Sequence, residues 1–192
     1  MPLANSDQGY GALAKLCHWA VAILFFCQYG LASIMRHTPD DGTILGMTQG
    51  TGYDWHKSLG LVVLIAMVIR LINRRTGELP PWAPTLAPVE KIIIHRAEQL
   101  LYLLMFVMPL SGLIYVFAAG YGVRLFGVVD LPNVIGKAAG VAMIARWVHI
   151  VTSMLLLLPV GAHVFLVLGH QFGLKDGLIR RMLPSGSGKP SD

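Results

Sequence analysis

Four apolar stretches govern what this chain can fold into, at about residues 14–34, 56–73, 98–118 and 147–169. Each is close to the roughly 20 residues that cross the hydrocarbon core of a bilayer. Backbone in lipid has no water to bond, so a run of this length must satisfy its own N–H and C=O groups. The runs lack the alternation of a barrel strand, which leaves α-helices. Composition agrees, because the 192 residues are 55% hydrophobic and 13% charged, against roughly 25% charged in soluble domains. An ordinary soluble enzyme, a disordered chain, a collagen-like chain and a disulfide scaffold are all excluded. The expected fold class is all-α, an integral membrane four-helix bundle.

Four spans put both termini on one face. Lys15, Arg70, Arg74, Arg75, Lys91, Arg96, Lys175, Arg180, Arg181 and Lys189 fall on that face, and Arg36, Lys57, Arg124, Lys137 and Arg146 on the other. The positive-inside rule therefore predicts both termini cytoplasmic, in a multi-pass membrane protein. The formal net charge of +5 is scattered between apolar runs and forms no basic stripe, so no nucleic-acid partner is expected. Cys17 and Cys27 lie about 15 Å apart along one helix and cannot pair. No CxxCH occurs, which excludes covalent haem attachment of the c type. The start of the chain lacks the basic n-region and cleavage site of a signal peptide, so the first run is expected to stay in the mature protein.

The expected organisation is a cytoplasmic segment over 1–13, a four-helix transmembrane bundle over 14–183 and a disordered tail over 184–192. The link over 76–90 carries Pro80, Pro81, Pro84 and Pro88 and should be extended. The apolar connection over 119–146 is expected to fold back as a short amphipathic or re-entrant piece. Pro109 and Pro159 should kink the third and fourth helices.

Seven histidines, at 18, 37, 56, 95, 149, 163 and 170, need an account in so apolar a chain. An ionisable side chain within a span is a functional hypothesis, set against a histidine resting at headgroup level. Fourteen residues separate His149 from His163; on one helix they turn through about 1400° and rise about 21 Å, so both rings share a face at opposite depths. Depth then pairs His18 with His163 and His56 with His149. Two neutral imidazoles bind haem iron axially and leave no open position, which predicts electron transfer and no catalytic residue at the metal. Ala22, Gly60 and Ser153 stand one turn after three of these histidines and would let a flat ring approach, whereas Val167 follows the fourth. Lys15, Lys57 and Arg146 are placed to meet haem propionates or simply to snorkel. His37 reads as a loop residue.

The segments YGALAKLCHWAVAILF, HKSLGLVVLIAMVIRLINR, HRAEQLLYLLMFVMPLSGLIY and WVHIVTSMLLLLPVGAHVFLVLGHQFGLKDGLIRRMLP, with the connection RLFGVVDLP, resemble the bacterial cytochrome b561 family in order and spacing, from about residue 10 to residue 184. The resemblance implies two non-covalent b haems with bis-histidine ligation by His18, His56, His149 and His163. One departure is Glu98, where many relatives carry a second histidine three residues after the counterpart of His95. The family passes electrons between the quinone pool and other donors or acceptors, and some members are proposed to oxidise superoxide. That implies ubiquinone as a candidate cofactor, a quinone and a redox partner of unknown identity, and membrane lipid. His170, with Lys175, is a candidate for quinone hydrogen bonding at the cytoplasmic rim.

Two other classes compete with a free-standing quinone-linked cytochrome that would act as an oxidoreductase. One is a cytochrome b electron-transfer and anchor subunit of a membrane-bound dehydrogenase or hydrogenase, which would copurify with a large soluble partner. The other is a haem-free membrane protein, for which the matched histidine depths would be coincidence. Gly112 offers close approach in a homodimer, although no GxxxG pair marks a face.

Overall fold

The computed structural model describes residues 2–7 and 9–183; the tail expected over 184–192 lies outside the described residues. Four helices form, α1 (Ala12–His37), α2 (Gln49–Thr76), α3 (Pro88–Ala119) and α4 (Ala139–Leu168), each long and apolar enough to cross a membrane. All extend beyond the apolar runs that seed them, because polar residues at their ends cap the turns. Thr48 Oγ1 accepts the Thr51 N–H at 3.2 Å, the N-cap bond that opens α2. At α3, Pro88 supplies the fixed φ of a first helical position, and Glu90 reaches back to accept the Ala87 N–H at 2.7 Å. Arg36 and His37 end α1, and Arg74 and Arg75 end α2, where positive charge complements the helix dipole. Pro109 and Pro159 are accommodated inside α3 and α4.

The apolar connection after α3 departs from expectation. It contains no amphipathic helix but a two-stranded antiparallel hairpin, β1 (Val123–Leu125) with β2 (Val129–Leu131), and α4 begins at Ala139. Valines at both strands favour the pleated conformation. Phe126 and Gly127 form the tight turn, both with positive φ (48° and 74°), closed by the Val128 N–H on the Leu125 carbonyl at 2.8 Å. Phe126 is strained there, and Ser58 holds it: the Phe126 N–H donates to Ser58 Oγ at 2.7 Å, and that hydroxyl donates to the Asp54 carbonyl at 2.6 Å.

After α4 the chain continues through a π-helical turn, Gly169–Leu174, and a 3-10 turn, Leu178–Arg181. The molecule resolves into two compact units. One comprises Met1–Ala20, Ala66–Leu104 and Met154–Asp192; the other comprises Val21–Ile65 and Met105–Ser153. In the first, Lys15 Nζ donates to the Leu183 carbonyl at 2.9 Å, Trp19 Nε1 to that of Met182 at 2.7 Å, and Arg181 to that of Pro81 at 2.6 Å, around buried Met67, Leu86 and Leu156. In the second, the Tyr29 hydroxyl donates to the Ser153 carbonyl, and Val63, Phe117 and Val123 are buried. Large apolar side chains such as Ile65, Leu103, Leu158 and Phe165 stay exposed along all the spans, the surface that lipid covers.

Ser58 is 1% exposed, so Ser58→Ala would strand the Phe126 N–H without an acceptor. The expected cost is about 1–3 kcal/mol, read as a fall in the thermal midpoint of the detergent-solubilised protein by roughly 2–4 °C per kcal/mol. An unchanged midpoint would show that the hairpin does not depend on this hydroxyl.

Candidate functional site

Each compact unit contains one pair of facing imidazoles. In the first, His18 of α1 lies beside His163 of α4, with ring centroids 6.1 Å apart and planes at 64°. In the second, His56 of α2 lies beside His149 of α4, at 6.2 Å and 86°. Two imidazoles bonded through Nε2 to opposite sides of one metal, at about 2.0 Å each as in zinc–histidine bonds, hold their centroids roughly 6 Å apart. Both pairs have that spacing. Among the described residues no cluster of three or more His, Cys, Asp or Glu side chains could hold a bare metal ion, so any iron held here needs its remaining ligands from a macrocycle.

The surroundings of each ring decide which nitrogen is free. His149 Nδ1 donates to the Met108 carbonyl of α3 at 2.8 Å, which leaves the Nε2 lone pair available to a metal. Gly112 makes that approach feasible, since a Cβ there would stand 2.9 Å from His149 Cε1 and Nδ1. Gly112 thus makes its close approach to an imidazole of its own chain. His56 is fixed through its backbone, its carbonyl accepting from Gln28 Nε2 at 3.0 Å. Its own Nδ1 is buried with no hydrogen-bond partner among the described residues, and so is Gln28 Oε1. Unpaired buried polar atoms cost about 1–3 kcal/mol each and concentrate at functional sites.

His18 has a cationic neighbour. Arg70 of α2 donates from NH1 to His18 Nδ1 at 3.0 Å and from Nε to the Tyr102 hydroxyl at 3.2 Å. Arg74 caps the same ring, and its NH2 pairs with Glu98 Oε2 at 2.8 Å. A guanidinium only donates, so His18 Nδ1 is an acceptor here; Nε2 could bond iron only once Arg70 gives its donor to another acceptor. The His56–His149 pair therefore fits haem in spacing and, at His149, in tautomer. The His18–His163 pair fits in spacing and has Arg70 as the group that must yield.

The other candidate residues have protein partners. Lys15 bonds the Leu183 carbonyl. Lys57 Nζ donates to the Gly122 carbonyl at 3.2 Å and lies 3.7 Å from Asp54. Arg146 is exposed and stacks over Trp147. Gly60 makes room for Gln28, whose Nε2 would be 3.1 Å from an added Cβ. His37 donates to the Ser33 carbonyl and His95 meets Gln99, both exposed. Glu98, the departure at α3, is the partner of Arg74.

His170 is not the rim residue expected. It is 3% exposed, with Nδ1 2.6 Å from Asp176 and Nε2 3.4 Å from Glu90, so neither ring nitrogen is left for a quinone carbonyl. His170 lies within the π-helical turn, where α-helical spacing no longer gives the direction of a side chain. Sequence reasoning also counted Arg70 only as a topology charge. Its place inside an apolar run was the available signal, since a cation at that position needs a partner. Nothing local to Met108 marks it, and Gly112 stands out in the sequence only for its lack of bulk.

Comparison with known proteins accords with this arrangement. The family model described as prokaryotic cytochrome b561 matches residues 9–185. The chain is similar to "Cytochrome b561 homolog 2" of Escherichia coli (strain K12), 27% identical over 97% of both chains. It is also similar to "Probable superoxide oxidase CybB" of Yersinia pestis, 25% identical over 93% of this chain and 98% of that one. "Cytochrome b562" of Cereibacter sphaeroides is 28% identical over the same shares.

Asp176 makes the His170 cluster sensitive to acid. Burial pushes its carboxyl up, but bonds from the His170 and Thr85 side chains and from the Leu178 N–H outweigh burial and hold it below its ordinary 3.8. A carboxylate depressed in the folded state stabilises fully above its unfolded value, and that contribution is lost as pH falls through the lowered one. Asp176→Asn should therefore cost about 1.5–3 kcal/mol at neutral pH, the range for a charge-assisted bond. It should also flatten the loss of thermal stability of the wild type below about pH 4, measured from pH 7 to pH 3. Parallel curves for the two proteins would mean that Asp176 does not report on this cluster.

Proposed function

The chain belongs to the prokaryotic cytochrome b561 family, and from that premise we propose that it is a di-haem b-type cytochrome moving electrons across the inner membrane between an outer-face donor and the quinone pool. Membership makes it a membrane electron-transfer protein and implies haem b. The observation that carries the finer reading is the two imidazole pairs, one in each compact unit, with centroids 6.1 Å and 6.2 Å apart. Superoxide is the candidate donor, supported by the name of the Yersinia relative. Ubiquinone is the candidate acceptor, and the distribution of Lys and Arg supports both termini in the cytoplasm.

In this reading His18 and His163 hold one haem, and His56 and His149 the other. Bis-histidine haem b supplies one-electron transfer at an iron with no open position. The chain's own residues orient the ligands and set the charge around them. The Met108 carbonyl fixes the His149 tautomer, and Gly112 lets the ring lie flush against α3. Gln28 anchors the His56 backbone. Arg70 is the cation beside His18, with the Tyr102 hydroxyl as its second partner, and a nearby positive charge favours the reduced form of any redox group. Lys57 and Arg146 are the cations adjoining the His56–His149 pair, and Lys15 adjoins His18; propionates and an anionic donor are the charges they would meet.

A dithionite-reduced minus oxidised spectrum of the purified protein, with haem counted per chain, tests this reading. A b-type spectrum at about two haems per chain is expected, falling by one in His149→Ala and by one in His163→Ala. Gly112→Val should act like His149→Ala, because it drives the ring off the Met108 carbonyl. A colourless protein, or haem that survives both histidine substitutions, would overturn the ligand scheme. Superoxide-dependent reduction of ubiquinone by the protein alone, with no copurifying dehydrogenase, is expected of the free-standing form.

A further inference from the structure

Beyond α4 the structure carries a polar pocket that electron transfer does not use. A cavity of about 310 Å³ is lined by Gln171, Phe172, Lys175, Gly177 and Arg180. Lys175 and Arg180 are exposed, and among the described residues neither side chain has a hydrogen bond or an ion pair. Asp176, in the same turn, and Glu90, at the start of α3, are both turned onto His170. Gln171 Oε1 is buried without a hydrogen-bond partner among the described residues. The backbone is specialised as well: Lys175 adopts a left-handed conformation (φ 55°), its N–H held by the His170 carbonyl, and Gly177 follows at φ 70°. A Cβ on Gly177 would make only ordinary contact with Arg180 Cδ, at 3.4 Å, so it is the positive φ and not space that favours glycine there.

The rim of the pocket is apolar. Phe172 is 71% exposed and Leu174 65%, and they prolong the bare surface of α4, where Phe165 is 80% exposed. Two unpaired cations beside an uncovered apolar edge, at the end of a membrane span, match a molecule with an anionic head and hydrocarbon tails. An uncharged ring would leave both cations desolvated and uncompensated. A soluble anion would leave the apolar edge unused.

We propose that this pocket binds the phosphate headgroup of an anionic phospholipid, with Lys175 and Arg180 on the phosphate and the acyl chains against Phe172 and Leu174. The His170 cluster holds the wall in place by tying the loop after α4 to Glu90 at the start of α3. The site is independent of the haem-binding reading, since it shares no residue with either imidazole pair.

Native mass spectrometry of the full chain in detergent, titrated with dioleoylphosphatidylglycerol or dioleoylphosphatidylcholine, tests this. One tightly retained phosphatidylglycerol and much weaker phosphatidylcholine are expected, with millimolar inorganic phosphate failing to displace the lipid. Lys175→Gln with Arg180→Gln should weaken retention roughly 25-fold, about five-fold per cation. Phe172→Ser should weaken it without creating phosphate binding. Both variants should keep the wild-type helicity and haem content, because the altered side chains are exposed. Equal retention of the two lipids, or a double variant that holds phosphatidylglycerol like the wild type, would overturn the proposal. Displacement by inorganic phosphate would reassign the pocket to a soluble anion, and competition by ubiquinone that survives the double substitution would reassign it to a quinone.

Discussion

A peptide group in hydrocarbon can bond only to its own chain, and this constraint sets everything else in the molecule. It turns each apolar run into a helix, and it means that functional groups inside the membrane must be delivered by side chains from helical positions. Even the proline positions obey it: Pro88 begins α3, where an N–H is not needed, while Pro109 and Pro159 are tolerated within long helices. The hairpin of β1 with β2 lies between α3 and α4 in the chain.

The same rule applied to side chains explains the histidines. An imidazole away from water needs partners for two ring nitrogens, and the half-buried and buried ones here differ in how far they find them. His149 gives its proton to a backbone carbonyl that a glycine exposes. His18 accepts from an arginine that is itself spread over a tyrosine and neighbours an Arg–Glu pair. His170 meets two carboxylates, which it can satisfy together only as an imidazolium. His56 leaves one nitrogen without a partner among the described residues. The first two and His56 lie next to another imidazole, whereas His170 does not, and that separates the pairs that fit haem iron from a histidine that fastens a loop.

Much of this was legible in the sequence. The four helices follow from run length, and the facing of His18 with His163 and of His56 with His149 follows from depth along spans of alternating direction. The misreadings share one cause, which is deviation from regular geometry. His170 was placed by α-helical spacing, but the chain changes to a π-helical turn at Gly169. The connection after α3 read as amphipathic because of its apolar content, yet Phe126–Gly127 makes a turn that pairs its flanks. Gly112 was read for its lack of bulk, correctly, but which neighbour uses that space depends on α4.

The sequence by itself determined the membrane class, the number of spans and which histidines share a level, since these depend on hydrophobic length and on the fixed pitch of a helix. Tertiary structure alone decided the partner of each second nitrogen: Met108 for His149, Arg70 for His18, Asp176 and Glu90 for His170. Those partners come from other helices or from an irregular turn. A hydrogen bond is settled over a few tenths of an ångström, a precision that spacing along one helix does not carry to its neighbours.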